Sequence, residues 1–295
     1  MLSKVYFIHA LSPIHSGTGQ GTGVVDLPIA REKATALPIV PGSSIKGVLR
    51  DLHGSKTDVE VVFGPKAGEN ASEHAGALCV GDARLLCLPV RSVHGTFAWV
   101  TSPLVLRRLE RDFKVGASGI PALAGDQVAV AADRQTELVS NNKVYLEDLD
   151  LNVLQNSRSA AAACADNLAK ALFPAHNGQP SEWVSAFVAR FAVVHDDVFA
   201  FLYETATEMN ARIRIDDERK TVASGALWYE ESLPAESVLW GVAAADKPHK
   251  KGSSLGDKEQ SVMDFAFPSD PLVQDMQLGG KATVGRGRIR LILSR

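Results

Sequence analysis

Residues 41–54 read PGSSIKGVLRDLHG, and no other stretch of the chain opens a helix so plainly. Ser43 or Ser44 offers a hydroxyl cap for the first turn, and Gly54 supplies the stop. Ile45, Val48, Leu49 and Leu52 recur at the spacing of one buried face, while Lys46, Arg50 and His53 fall on an opposite stripe. Upstream, Lys4 to Leu11 is apolar and reads as a buried strand. Downstream, Gly76 to Ser92 reads as one or two strands and Thr96 to Thr101 as another. Ser102-Pro103 then pairs a cap with a first-turn proline for a helix reaching Phe113. Gly287 to Leu293 closes the chain as a strand. This order fits a ferredoxin-like, RNA-recognition-like sheet, so the expected fold class is α+β with insertions.

The insertions are less regular. Strands are expected at Gln127–Ala131 and Lys143–Leu149, a helix at Ala160–Leu172, and another from Asp196-Asp197 to about Ala206. A hairpin follows, RIRIDDERKTVASGALWYEE at 212–231, with a polar tip at 217–224. Val238 to Ala244 is a further strand and 246–259 a solvated linker; Ser261 to Met276 is helical in part, broken at Pro268.

A chain of 295 residues fits two domains, or one core with large insertions. Its 45% hydrophobic and 22% charged content excludes disorder as the main state. No apolar run approaches the roughly 18 residues of a membrane span. The N-terminal apolar stretch, with His9 inside it and Pro13 at its end, reads as a strand and not a signal peptide. Three cysteines (Cys79, Cys87 and Cys164) form no C-x-x-C pair, which suits free core thiols in a cytoplasmic protein.

The net charge of −3 hides an asymmetry. From residue 276 onward there are five cations (Lys281, Arg286, Arg288, Arg290, Arg295) and no acid, whereas 193–240 holds ten acids and four bases. That polarity suits an anionic ligand bound locally, or the acidic face of one copy meeting the basic face of the next. Scattered surface charge gives the same counts.

Three constellations could carry chemistry. The loop with Gly17, Gly19, Gly21 and Gly23 invites a dinucleotide reading, but the extended segment VVDLPI follows where a helix would have to open. The edge of the 41–54 helix offers phosphate-binding cations and free N–H groups, though an ordinary solvated face fits the same pattern. In LGGKATVGRGRIRL at 278–291, glycines interleave with cations so that backbone amides and side chains can reach phosphates together. No protease, hydrolase, Walker or zinc motif is present. Asp26, in V-D-L-P-I, stands out because strands disfavour Asp; a turn-capping role would also explain it.

Five blocks together resemble the RAMP superfamily of CRISPR effector proteins, and within it the backbone subunits of type III-B Cmr complexes. They are HSGTGQGTGVVDLPIARE at 15–32, PIVPGSSIKGVLRD at 38–51, DARLLCLPVRSVHGTFAWVTSPLVLRRL at 82–109, the hairpin at 212–231 and the segment at 278–291. The resemblance implies one modified RNA-recognition domain over 1–295. A thumb-like hairpin would be inserted at about 207–235 and a variable helical segment at about 151–195. It implies copies stacked head to tail along a CRISPR guide RNA, other Cmr-complex subunits as partners, no membrane, and complementary target RNA cut beside each thumb. Asp26 carries over as the residue essential to cutting. His15, Ser43, Ser44, Lys46, Arg50, Gly279, Gly280, Lys281, Gly285, Arg286, Gly287 and Arg288 carry over as guide-RNA contacts. A divalent cation, Mg²⁺, would be held weakly through RNA phosphate, since one carboxylate is a poor resident metal site. The alternative is a purely structural RNA-binding backbone.

Overall fold

The computed structural model describes residues 1–19, 21, 25–54, 56–65, 75–115, 119–120, 122–132, 135–175, 179, 181–216, 218–249, 253–267 and 273–294. Along the chain run β1 (Leu2–Ala10), β2 (Ile39–Val40), α1 (Gly42–His53), α2 (Val59–Phe63), β3 (Leu78–Val80), β4 (Ala83–Arg91), β5 (Phe97–Thr101) and α3 (Pro103–Asp112). Next come β6 (Gln127–Val130), β7 (Lys143–Leu146), β8 (Leu149–Val153), α4 (Arg158–Leu172), α5 (Glu182–Arg190), β9 (Phe191–Val194) and α6 (Asp196–Thr205). The last elements are β10 (Glu208–Ile215), β11 (Val222–Ser232), β12 (Val238–Ala245), α7 (Glu259–Ala266), β13 (Val273–Gln277) and β14 (Arg288–Leu293).

Six of these build the core: β1, α1, β4, β12, α7 and β14. Their strands lie in the order β14-β1-β12-β4, every neighbour antiparallel. This is the split βαβ arrangement of the ferredoxin-like fold. Phe7 pairs with Trp240 on one side and Ile292 on the other, and all three are buried. The strands are covered on both faces, so they read as continuous apolar runs and not as alternations. Beyond β4 the sheet continues through β5, β9, β6, β8 and β7. A Ser92–Leu146 bridge brings β7 back to the end of β4 and closes this half into a ring. β10 and β11 form a separate two-stranded sheet.

Several expectations need correction. The segments at 96–101 and 103–113 belong to the ring half, and β12 and α7 take the places of third core strand and second core helix. Local patterns of the two sets are alike; the choice between them is a long-range pairing. Ser43 and Ser44 do not cap α1. Both are exposed in its first turn, and the N–H of Gly42 donates to Asp82 Oδ1 at 2.8 Å instead. Leu52 is 45% exposed, while His53 is buried on the apolar side, stacked on Phe265. Positive φ at Glu147 splits the expected strand at 143–149 into the β7–β8 hairpin. The span 151–195, expected to be helical, also contributes β8 and β9 to the sheet. Within 261–276 lies strand β13, and Pro268 falls outside the described residues. Cys87 and Cys164 are buried, and burial pushes the Cys164 thiol up to about 12; Cys79 is exposed and not a core residue. Among the described residues no helix is long and apolar enough to cross a membrane.

Candidate nucleic-acid interface

The β10–β11 hairpin has two unlike faces. Strict pairing of Met209 with Glu231, Ala211 with Tyr229 and Ile213 with Leu227 puts Met209, Ile213, Leu227 and Tyr229 on one face. These side chains are 42–55% exposed, although residues of this kind normally seek a core. The other face is polar and built around Glu230. Glu230 accepts from Lys281 Nζ at 2.7 Å, from Trp228 Nε1 at 2.8 Å and from Arg212 Nε at 3.3 Å. Burial would raise its pKa, but the hydrogen bonds from Lys281 and Trp228 outweigh burial and hold the carboxyl at about 2.

Three loop segments gather at the base of this hairpin. The first is 14–18. Ile14 and Leu233 exchange backbone hydrogen bonds, and His15 Nδ1 lies 2.7 Å from the carbonyl of Glu231. A carbonyl only accepts, so Nδ1 carries the proton. The ring is buried, 7% exposed, and locks the loop to the hairpin.

The second segment carries Asp26. It is not inside a strand but exposed at a bend, and its Oδ2 accepts from the N–H of Tyr229 at 2.8 Å. Leu27 then exchanges backbone hydrogen bonds with Tyr229 and Glu231. Segment 26–29 therefore lies along the edge of β11 like a short third strand, with Asp26 Oδ1 unpartnered among the described residues.

The third segment is the glycine-rich 278–288 loop. The N–H of Gly280 donates to the carbonyl of His15 at 2.9 Å. Gly279 and Gly287 have φ of +84° and +80°, and a Cβ would lie 2.5 Å from His15 O in the first and 2.1 Å from Leu278 O in the second. Gly285 also has positive φ but faces open space, and Gly280 has ordinary room. Arg286 Nη1 donates to Glu208 at 2.7 Å, and Arg288 pairs with Asp275.

His15, Asp26 and residues 279–288 thus come together, although more than 250 residues separate the first from the last. Ser43, Ser44, Lys46 and Arg50 stand apart on α1. Lys46 Nζ donates to the carbonyl of Leu78 at 2.8 Å, and burial lowers its pKa. Arg50 Nη1 donates to the carbonyls of Gly64 and Pro65. The opposite charges of the 193–240 and 276–295 regions meet within one chain, through Glu230–Lys281 and Glu208–Arg286. Gly23 lies outside the described residues, and among those described no three His, Cys, Asp or Glu side chains cluster as a metal site.

Glu231 and Arg31 are functional candidates that sequence reasoning missed. For Glu231 the signal was an adjacent pair of acids inside a strand, a position that disfavours charge; Arg31 left no such signal.

The sequence matches the RAMP superfamily over residues 7–290. The chain belongs to the RAMP superfamily. It is 36% identical over 302 aligned positions to the CRISPR system Cmr endoribonuclease Cmr4 of Pyrococcus furiosus, covering 98% of this chain and 96% of that protein. The crystal structure of oligomeric Cmr4 from Pyrococcus furiosus superposes with a TM-score of 0.71 at 27% identity, covering all of this chain and 98% of that one. A chain of type III-B Cmr-beta bound to cognate target RNA shares the fold, with a TM-score of 0.73 at 20% identity over 99% and 97% of the two chains. The RAMP membership and fold class expected from the five sequence blocks are therefore established, with the RNA-recognition-like core at β14-β1-β12-β4.

Proposed function

We propose that the chain is an RNA-guided endoribonuclease that serves as the backbone subunit of a type III-B CRISPR complex. One observation carries this reading: an exposed carboxylate, Asp26, is fixed by the main chain of Tyr229 at the root of a projecting hairpin. RNA brings its own nucleophile, the 2′-OH, but a helical strand holds that oxygen out of line with the leaving 5′-oxygen. A hairpin that displaces one nucleotide can bring the two into line, which is worth several kcal/mol. Asp26 accepts the 2′-OH proton as the 2′-oxygen bonds to phosphorus, and the P–O5′ bond breaks with the 5′-oxygen taking a proton from water. The products are a 2′,3′-cyclic phosphate and a 5′-hydroxyl.

The guide RNA lies over the glycine-rich loop. Lys281, Arg286 and Arg288 supply charge there, Gly279 and Gly287 fold the loop tightly against His15 and Leu278, and Gly285, which faces open space, leaves room for a phosphate to approach the backbone. Lys46 adds a phosphate contact without losing Leu78, because an ammonium has three donors. His15, Ser43, Ser44 and Arg50 complete the guide-binding set, His15 through the shape it gives the loop. Copies stack head to tail along the guide beside other Cmr-complex subunits. The contact between them rests on the apolar hairpin face, where Met209, Ile213, Leu227 and Tyr229 lie exposed. Mg²⁺ fits only as a weakly held ion: Asp26 offers one open oxygen, and the remaining ligands are phosphate and water. When bound it would neutralise phosphate charge.

Asp26→Asn in the assembled complex tests the reading. Guide binding and target pairing are expected to survive while cleavage falls about 10²- to 10⁴-fold, the usual loss for a general base. Wild-type cleavage would leave the purely structural backbone.

A further inference from the structure

Arg31 lies five residues after Asp26, and its guanidinium joins three elements. Nη1 donates to the carbonyl of Ala36 at 3.0 Å; Nη2 donates to the carbonyl of Tyr203 in α6 at 3.1 Å and to Glu231 Oε1 in β11 at 2.5 Å. Glu231 is buried, and its Oε1 also accepts from Thr207 Oγ1 at 3.1 Å, while its Oε2 accepts from the N–H of Ile29 at 3.1 Å. Arg31 and Ile29 flank Asp26 on its C-terminal side, and Glu231 is two residues from Tyr229, whose N–H holds the Asp26 carboxylate. One partly buried ion pair therefore anchors both the segment carrying Asp26 and the strand it lies against.

The hairpin needs such an anchor. Among the described residues it has no strand partner in the main sheet. Its polar face is tied to the glycine-rich loop through Glu230 and Glu208, but the side toward Asp26 is tied through Glu231. We propose that Arg31 is a positioning residue for cleavage, holding the hairpin base and the Asp26 segment in one register. This rests on the reading of Asp26 given above. A guanidinium is required, because its planar fork serves three acceptors in different directions, whereas an ammonium is a point charge at the end of a flexible stem.

The test uses the complex reconstituted on guide RNA, with single-turnover cleavage measured at saturating target. Arg31→Met is expected to slow the rate constant about 10- to 100-fold, the scale of a misplacement near 1 Å. Arg31→Lys keeps the positive charge and is expected to slow it about 3- to 10-fold. Both should act at every cut site alike, with guide and target affinities unchanged within about two-fold. In a Glu231→Met background, Arg31→Met should add little, because its partner is already gone; removing both charges also avoids leaving either one unpaired. A wild-type rate constant in Arg31→Lys and Arg31→Met would overturn the proposal. So would a loss confined to target affinity, or losses from Arg31→Met and Glu231→Met that multiply. If Arg31→Met fails to assemble, Arg31→Lys decides. Asp26→Asn run in parallel separates the two claims: its cutting at the wild-type rate removes the underlying reading, and its silence beside an unaffected Arg31→Met removes this proposal alone.

Discussion

In the central sheet, Phe7 sits between Trp240 and Ile292 and all three are buried; in the hairpin, Ile213 sits opposite Leu227 and both are about half exposed. Both regions are antiparallel β-structure made of similar residues. The sheet is placed by apolar burial on two faces. The hairpin buries little of itself, and a two-stranded ribbon is at best marginal alone. Its direction is set at the base, by the Glu231–Arg31, Glu230–Lys281 and Glu208–Arg286 pairs and by strand-like pairing with Ile14 and Leu27. On the proposed reading of Asp26, global stability and the geometry of cutting therefore depend on different residues and should be separable by mutation.

The largest effect belongs to the sheet. Phe7→Ala is expected to cost about 3–5 kcal/mol in denaturant unfolding, because it opens a cavity on the sheet face where the ring packs edge-on against Phe113. Next comes the loop joining the two regions. Gly287→Ala should cost about 2–4 kcal/mol, since its Cβ would meet Leu278 O as well as paying the left-handed φ. Gly285→Ala, with positive φ but open space, should cost only about 1–2 kcal/mol. Equal costs would show that the close approach at Gly287 is not real.

The hairpin clamp should be visible in acid. Glu230 has its pKa lowered from 4.5 to about 2 in the folded chain. Its contribution is thus complete above the unfolded value and is lost as pH falls through the folded one. Glu32, held at about 2 chiefly by its hydrogen bond from Arg108, behaves the same way. Stability is expected to decline between about pH 5 and pH 2, and Lys281→Met should flatten that decline by removing a donor that lowers Glu230. An unchanged pH profile would mean that the Lys281 pair does not persist in solution. The smallest effect belongs to the exposed face. Ile213→Ala should change unfolding by less than about 0.5 kcal/mol, and a cost near that of Phe7→Ala would place the hairpin against the core.

The same contrast explains what could be read from the sequence. Elements defined by local pattern were legible: β1, α1, α6, the hairpin and β14 all fall close to where apolar periodicity and turn residues put them. The core assignment of β12 and α7 was not, because β5 and α3 have equally good local patterns and only pairing across the sheet decides. The cap on α1 comes from Asp82, forty positions away, so two nearby serines were a natural misreading. Asp26 could be singled out, but on the premise of an acid inside a strand, whereas it lies exposed at a bend. Its anchor could not, since Arg31, Thr207 and Glu231 meet only in three dimensions.

The central claim is that each copy makes one cut with its own Asp26 at the root of its own hairpin. Complexes assembled from mixtures of wild-type and Asp26→Asn copies, with the products resolved by length, test it directly. The account predicts that each cut fades in proportion to the mutant fraction at its position while the other cuts continue, and that each cut leaves a 2′,3′-cyclic phosphate on the fragment 5′ of it and a 5′-hydroxyl on the fragment 3′ of it. Uniform cutting at the wild-type rate, or loss of all cuts together from a single mutant copy, would contradict it.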